Sequence, residues 1–176
     1  MLFFGLPEVV QRGGIYLNDT EHIRLFTGVF ANGMTMEHFI GTSRCGKTTK
    51  IHTLVDGLGN PISFLLSEGQ VHDSKVAVEL LSTQNISKSN ILADRAYGTN
   101  EILNYIADNN ANHVIPPKIN SKEPWDVDWC LYKERHLVEC FFNKIKQFRH
   151  IATRYDKLAS SFLAFIYVAA IFILSK

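Results

Sequence analysis

Residues 132–146, YKERHLVECFFNKIK, contain neither glycine nor proline, and so predict one uninterrupted helix. At 3.6 residues per turn, Leu137, Phe141, Ile145 and Phe148 fall on one stripe. Arg135, Glu139, Asn143 and Lys146 fall on the opposite one, with Tyr132 a turn before Arg135. One face can bury while the other presents a carboxylate flanked by cations. Such a face serves either as a row of surface ion pairs at i,i+4 spacing or as a site for a divalent metal and a phosphate.

The rest of the chain sets the scale of the fold around this helix. A length of 176 residues supports one domain with a sizeable core, and a net charge of +1 gives no bulk electrostatic sign of a nucleic-acid partner. The local distribution says more. Lys133, Arg135, Lys144, Lys146, Arg149, Arg154 and Lys157 face only Glu134, Glu139 and Asp156, a modest basic stripe on and after the helix. That stripe suits DNA phosphates or a solvated helix face. Cys45, Cys130 and Cys140 have no CxxC spacing and no paired His pattern, so they read as reduced thiols of a cytoplasmic protein rather than a zinc site or a disulfide framework. Residues 1–6 are apolar but too short for a cleavable signal. The apolar run over residues 158–174 comes near the lower limit of about 17 residues for a membrane span. Ser160 and Ser161 interrupt it, and it predicts a buried C-terminal helix, with no membrane partner.

Taken in order, residues 1–12 form a poorly defined N-terminal segment, and residues 13–176 are read as one domain. After Gly13-Gly14, residues 15–20 are an apolar run ending in a carboxylate, which predicts a buried strand delivering Asp19 at its C-terminal end; a turn or cap residue is the other reading. Residues 48–55 are strand-like by β-branched content, residues 56–61 form a turn, and residues 62–66 return, giving a hairpin. His52, in mid-strand, is expected to be packed or hydrogen-bonded. Residues 41–49 superficially suggest a P-loop but lack the first glycine at the required spacing and precede a strand. Asp73 or Ser74 caps a helix through Leu81 that buries Val76, Ala77, Leu80 and Leu81. Residues 91–94 are a short strand ending in Asp94. Residues 98–100 cap a helix over 101–109 with Ile102, Leu103 and Ile106 inward, and residues 113–115 form a strand stopped by Pro116-Pro117. This order predicts an α/β, ribonuclease-H-like mixed sheet flanked by helices, with three antiparallel strands continued by parallel ones and the apolar helix at the C-terminus. In open α/β sheets sites gather at the C-terminal ends of strands, where Asp19 and Asp94 are expected, with Glu139 approaching from its helix.

Tyr132, Arg135, Glu139 and Lys146, separated by two, three and six residues, form a Y-R-E-K pattern. With LYKERHLVE at 131–139, HIATRYDK at 150–157 and ILADRAY at 91–97, the chain resembles bacterial insertion-sequence transposases of the DDE class, insertion-sequence family five. The resemblance runs from about Gly41 to the C-terminus. Before it, Asp19, Thr20, Ile23 and Arg24 keep part of the family's spacing, but the His-rich stretch expected over 25–39 is absent, as a reading-frame slip between matching flanks would leave it. The resemblance implies a catalytic domain that cleaves DNA at transposon ends and joins the freed 3′-hydroxyl to a target. The other possibility is a remnant that binds DNA or a full-length partner without catalysis. It implies Asp94 and Glu139 as the second and third acids of a triad, with Asp19 a candidate for the first, around two Mg²⁺ (or Mn²⁺) ions. Hard divalent cations prefer carboxylate oxygens to Cys or His, and a metal pair activates the attacking oxygen and stabilises the leaving one. Tyr132, Arg135 and Lys146 are then expected to contact phosphates near the cut. Lys144, Arg149 and Arg154 join them on charge alone. A homodimer on DNA, in a bacterial cytoplasm and at the nucleoid, completes what the resemblance implies.

Overall fold

The computed structural model of the chain describes residues 22–32, 39–43, 46–121 and 123–175. The strand expected over 15–20, and Asp19 with it, lies outside the described residues. Among the described residues the first strand, β1, is His22–Asn32, followed by β2 (Gly41–Ser43), β3 (Gly46–Val55) and β4 (Pro61–Glu68). Then come α1 (Asp73–Ser82), β5 (Asn90–Ala93), a 3-10 turn (Arg95–Tyr97), α2 (Asn100–Asp108) and β6 (Asn112–Val114). The chain closes with α3 (Trp129–Lys133), α4 (His136–Ile145), α5 (Arg149–Ala152), β7 (Thr153–Arg154) and α6 (Ala159–Leu174).

The sheet is the mixed one expected. β1 and β4 flank β3 antiparallel, and β5 and β6 continue parallel to β1. β2 pairs with the start of β3, and β7 pairs parallel with the end of β1. The β3–β4 hairpin closes where the sequence places it, because the Asp56 side chain accepts the backbone N–H groups of Leu58 and Asn60 and fixes the turn. Because side chains alternate across a strand, β3 and β4 feed two cores. Leu54 packs with Ala77, Leu80 and Leu81 of α1 and Ile102 and Ile106 of α2. Ile51, Val55, Phe64 and Leu66 pack on the opposite face with Val138, Phe141, Phe142 and Ile145 of α4 and Phe162 and Ile166 of α6. The buried face of α1 is the expected one, although its N-cap is His72, whose ring nitrogen accepts from the Ser74 N–H, rather than Asp73 or Ser74.

Two helices depart from expectation. Residues 132–146 are not one helix. The ladder shifts to i→i−3 hydrogen bonds at Arg135, Leu137 and Val138, which separates α3 from α4 and leaves Arg135 as the N-cap of α4 with helical dihedrals. The buried stripe is accordingly Val138, Phe141, Phe142 and Ile145, while Leu137 lies against Gly59, a glycine at φ +86°. The C-terminal helix is buried on one side only. Phe162, Ile166, Ala169 and Ala170 face the core, whereas Phe165, Val168, Ile171 and Phe172 are exposed. Among the described residues no helix is long and apolar enough to cross a membrane.

His52 is buried, as expected, and its Nε2 lies 2.7 Å from Ser67 Oγ. Burial pushes its pKa down from 6.5 to about 4; Asp73 opposes the shift and Lys50 adds to it. The unfolded chain therefore takes up a proton that the folded chain refuses. The contribution to stability is complete above the unfolded value and is lost as pH falls through the window toward about 4. Between pH 7 and pH 5 this predicts a loss of about 2 kcal/mol in denaturant unfolding, with the slope removed in His52→Gln. An equally steep loss in that variant would assign the slope to other groups.

Candidate active site

β5 ends at Ala93, and Asp94 follows in extended conformation as the N-cap of the 3-10 turn, at the C-terminal edge of the sheet. The buried Tyr97 anchors that turn from below. Across from it, the Asp128 side chain accepts the N–H groups of Cys130 and Leu131 and starts α3. α3 brings Tyr132 over the sheet edge, and the tight passage between α3 and α4 aims Arg135 at Asp94.

The result is a four-residue cluster. Arg135 Nη2 donates to Glu139 Oε1 at 2.8 Å, and Arg135 Nε lies 3.3 Å from Asp94 Oδ1. The Tyr132 hydroxyl donates to the same Asp94 oxygen at 3.4 Å, and the guanidinium stands 5.8 Å from the Tyr132 ring centroid. Burial works against the Arg135 charge, but Asp94 and Glu139 outweigh it and hold its pKa above the ordinary guanidinium value. Burial, reinforced by the Asp94 carboxylate, raises the Tyr132 phenol, which keeps it protonated and a donor at neutral pH.

The structure thus brings together Asp94, Glu139, Tyr132 and Arg135. Lys144 and Lys146 are exposed at the C-terminal end of α4. Lys146 is seven residues beyond Glu139 on the same face, roughly 10 Å along the helix. Arg149 is exposed just past it, with its Nε donating to the Tyr155 hydroxyl at 3.3 Å. Arg154 is a different matter. It is 1% exposed, bonded to Thr49 and to the carbonyls of Asp156 and Lys157, and packed on the Phe162 ring. Its assignment as a phosphate contact is corrected: it is an interior group, and charge alone could not distinguish a buried cation from a surface one. Sequence reasoning also missed that Arg135 ties both acids together. Its i,i+4 relation to Glu139 was visible, but its bond to Asp94 was not.

The donor chemistry of Asp94 and Glu139 fits a hard divalent cation, with two carboxylates converging on one cationic group. Among the described residues no cluster of three His, Cys, Asp or Glu side chains forms. The strand beside β5 is β1, in register at Leu25 and Ala93, which puts Phe26 level with Asp94, and β1 contains no acidic residue.

Residues 35–174 match the family described as "Transposase DDE domain". A putative transposase for insertion sequence element IS6501 of Brucella ovis is 38% identical over 125 residues, 69% of this chain and 94% of that protein. Among solved structures, piggyBac transposase in a synaptic complex with hairpin DNA aligns with a TM-score of 0.55 at 12% identity, over 88% of this chain and 47% of that one. The chain thus spans about half the length of that transposase, and the likeness is one of fold.

Proposed function

This chain belongs to the transposase DDE-domain family, and from that premise we propose that Asp94 and Glu139 are its metal-binding acids in cleaving DNA at transposon ends and transferring the strand. The observation that carries the reading is the meeting of a strand-end carboxylate and a helix carboxylate on one guanidinium. DDE transposases generally use divalent metal ions. Mg²⁺ or Mn²⁺ bound here, two ions in the full complement, would supply charge neutralisation at the phosphorus and an activated attacking oxygen. The chain's own residues do the rest. Asp94 and Glu139 set the position of the cut, Tyr132 and Arg135 offer donors to the phosphate beside it, and Lys146, Lys144 and Arg149 carry the flanking backbone. DNA as partner is supported by the synaptic complex that the piggyBac fold forms with hairpin DNA.

The test is Mg²⁺-dependent nicking of supercoiled DNA, stopped by chelation and by both Asp94→Asn and Glu139→Gln; equal nicking by the two variants removes the assignment. A second reading, a remnant that binds DNA without cutting it, is favoured by the acid-free strand β1 beside Asp94. Retained, salt-sensitive DNA binding with no nicking at any metal concentration would select it.

We also propose that the chain acts as a homodimer through the outer face of α6. Phe165, Val168, Ile171 and Phe172 recur on that face with Leu174 beyond them, and α6 carries no charged residue. A helix that is apolar on both sides requires a cover. Val168 and Ile171, each about two-thirds exposed, form the centre of the stripe, with Phe165, Phe172 and Leu174 around them. An uncharged stripe suits a second copy of itself across a two-fold axis. Sedimentation should show a dimer that Ile171→Glu converts to monomer; a monomeric wild-type chain at tens of micromolar would refute the pairing.

A further inference from the structure

The guanidinium of Arg135 lies between the two carboxylates assigned above to metal, and it is held there from several sides. Its backbone is the N-cap of α4, its plane stands over the Tyr132 ring, and its side chain is 19% exposed while Asp94 and Glu139 are 42% and 46% exposed. The two bonds are unequal. The 2.8 Å bond to Glu139 is a local i,i+4 pair of ordinary charge-assisted length. The 3.3 Å contact to Asp94 is longer, and it shares its acceptor oxygen with the Tyr132 hydroxyl. The remaining terminal nitrogen, Nη1, is buried without a hydrogen-bond partner among the described residues. An arginine seated this way neutralises two acids that would otherwise repel each other, yet leaves one of its own donors unused.

We propose that Arg135 is a positioning residue that stands in for a divalent cation: it holds Asp94 and Glu139 together while the site is metal-free, and surrenders its Asp94 contact when a metal binds. This rests on the reading of Asp94 and Glu139 as metal ligands. A guanidinium and a divalent ion draw on the same carboxylate oxygens, and two cations at contact distance repel, so both cannot keep full occupancy. The longer contact is the one to break. The Glu139 bond keeps Arg135 at the site, with donors freed for a DNA phosphate. Metal loading and phosphate engagement thereby become one coupled event, and the coupling is reciprocal.

Mn²⁺ calorimetry on the full chain tests the exchange, with Asp94→Asn as the control for the ligand assignment. Arg135→Gln is expected to bind Mn²⁺ on the order of tenfold more tightly than wild type while losing DNA nicking. Arg135→Lys, whose ammonium cannot span both acids, is expected to bind Mn²⁺ more tightly as well, and it serves if the Gln variant does not fold. Mn²⁺ affinity unchanged or weakened in both folded variants overturns the exchange and makes Arg135 a plain scaffold. If instead wild type binds no Mn²⁺, or Asp94→Asn leaves its affinity intact, the metal-ligand reading itself fails, and the exchange fails with it.

Discussion

Asp94→Asn and Glu139→Gln should each lower metal-dependent nicking on the order of a thousandfold, with the fold intact. The size follows from chemistry. Removing one full negative charge from a hard-cation site costs the charge stabilisation that a phosphoryl centre needs, and each factor of ten is about 1.4 kcal/mol of transition-state stabilisation. The preserved fold follows from exposure. Both carboxylates remain nearly half exposed, so their ion pairs with Arg135 are worth only about 0–1 kcal/mol of stability, and an amide of the same shape still accepts from Arg135 Nη2. Thermal melts within a few degrees of wild type, alongside the collapse in nicking, are therefore the expected pair of results. On the proposed assignment the two acids serve one metal site as a unit, so the double variant should be little worse than either single one. Full additivity would mean that they serve separate steps.

Much of the scaffold for this site was legible locally. The buried positions of α1 recur at helical spacing, and the β3–β4 hairpin is punctuated by Asp56 and Pro61. β5 is a short, mostly apolar run followed directly by a carboxylate, Asp94. β1 was not legible. Its sequence, HIRLFTGVFAN, carries a glycine near its centre and no clean alternation. It is a strand because β3 and β5 take its two edges. That pairing is long-range, and the strand preference of a segment depends on the neighbours it meets. The shift between α3 and α4 was hidden for a similar reason. No glycine or proline marks it, and Arg135 is drawn toward Asp94, a residue from another part of the chain. Periodicity records which face of a helix is apolar; it does not record that a polar residue on the other face has a distant partner.

The outer face of α6 shows the same limit from the apolar side. Past Ser161 its sequence is almost wholly apolar, which predicts a buried helix, and the fold buries only one of its faces. Hydrophobic content does not record how much of a helix surface the fold can cover, so no local pattern separates the inner face from the outer one.

Arg154→Met is expected to destabilise the chain by about 3–5 kcal/mol, the cost typical of breaking a buried charged network. Arg154 Nη1 donates to Thr49 Oγ1 at 2.8 Å, Nε to the Asp156 carbonyl at 2.9 Å and Nη2 to the Lys157 carbonyl at 3.0 Å. Its guanidinium carbon lies 5.1 Å from the Phe162 ring centroid. One side chain thus joins β7, β3, the turn into α6 and α6 itself. Burial lowers the arginine pKa, with Asp156 pulling the other way, so the charge is held at a cost that these bonds offset. Methionine fills much of the volume but leaves two carbonyls without these donors. Lysine, with a single ammonium, cannot reach three acceptors spread around a planar fork, so Arg154→Lys should recover only a minor part of the loss. Urea unfolding reads the stability change. A salt titration of DNA binding by the folded protein tells this role from the one charge alone suggested. The salt slope should be unchanged in Arg154→Met, whereas loss of a phosphate contact would reduce it by about one. Wild-type stability together with a reduced slope would return Arg154 to the DNA-binding surface.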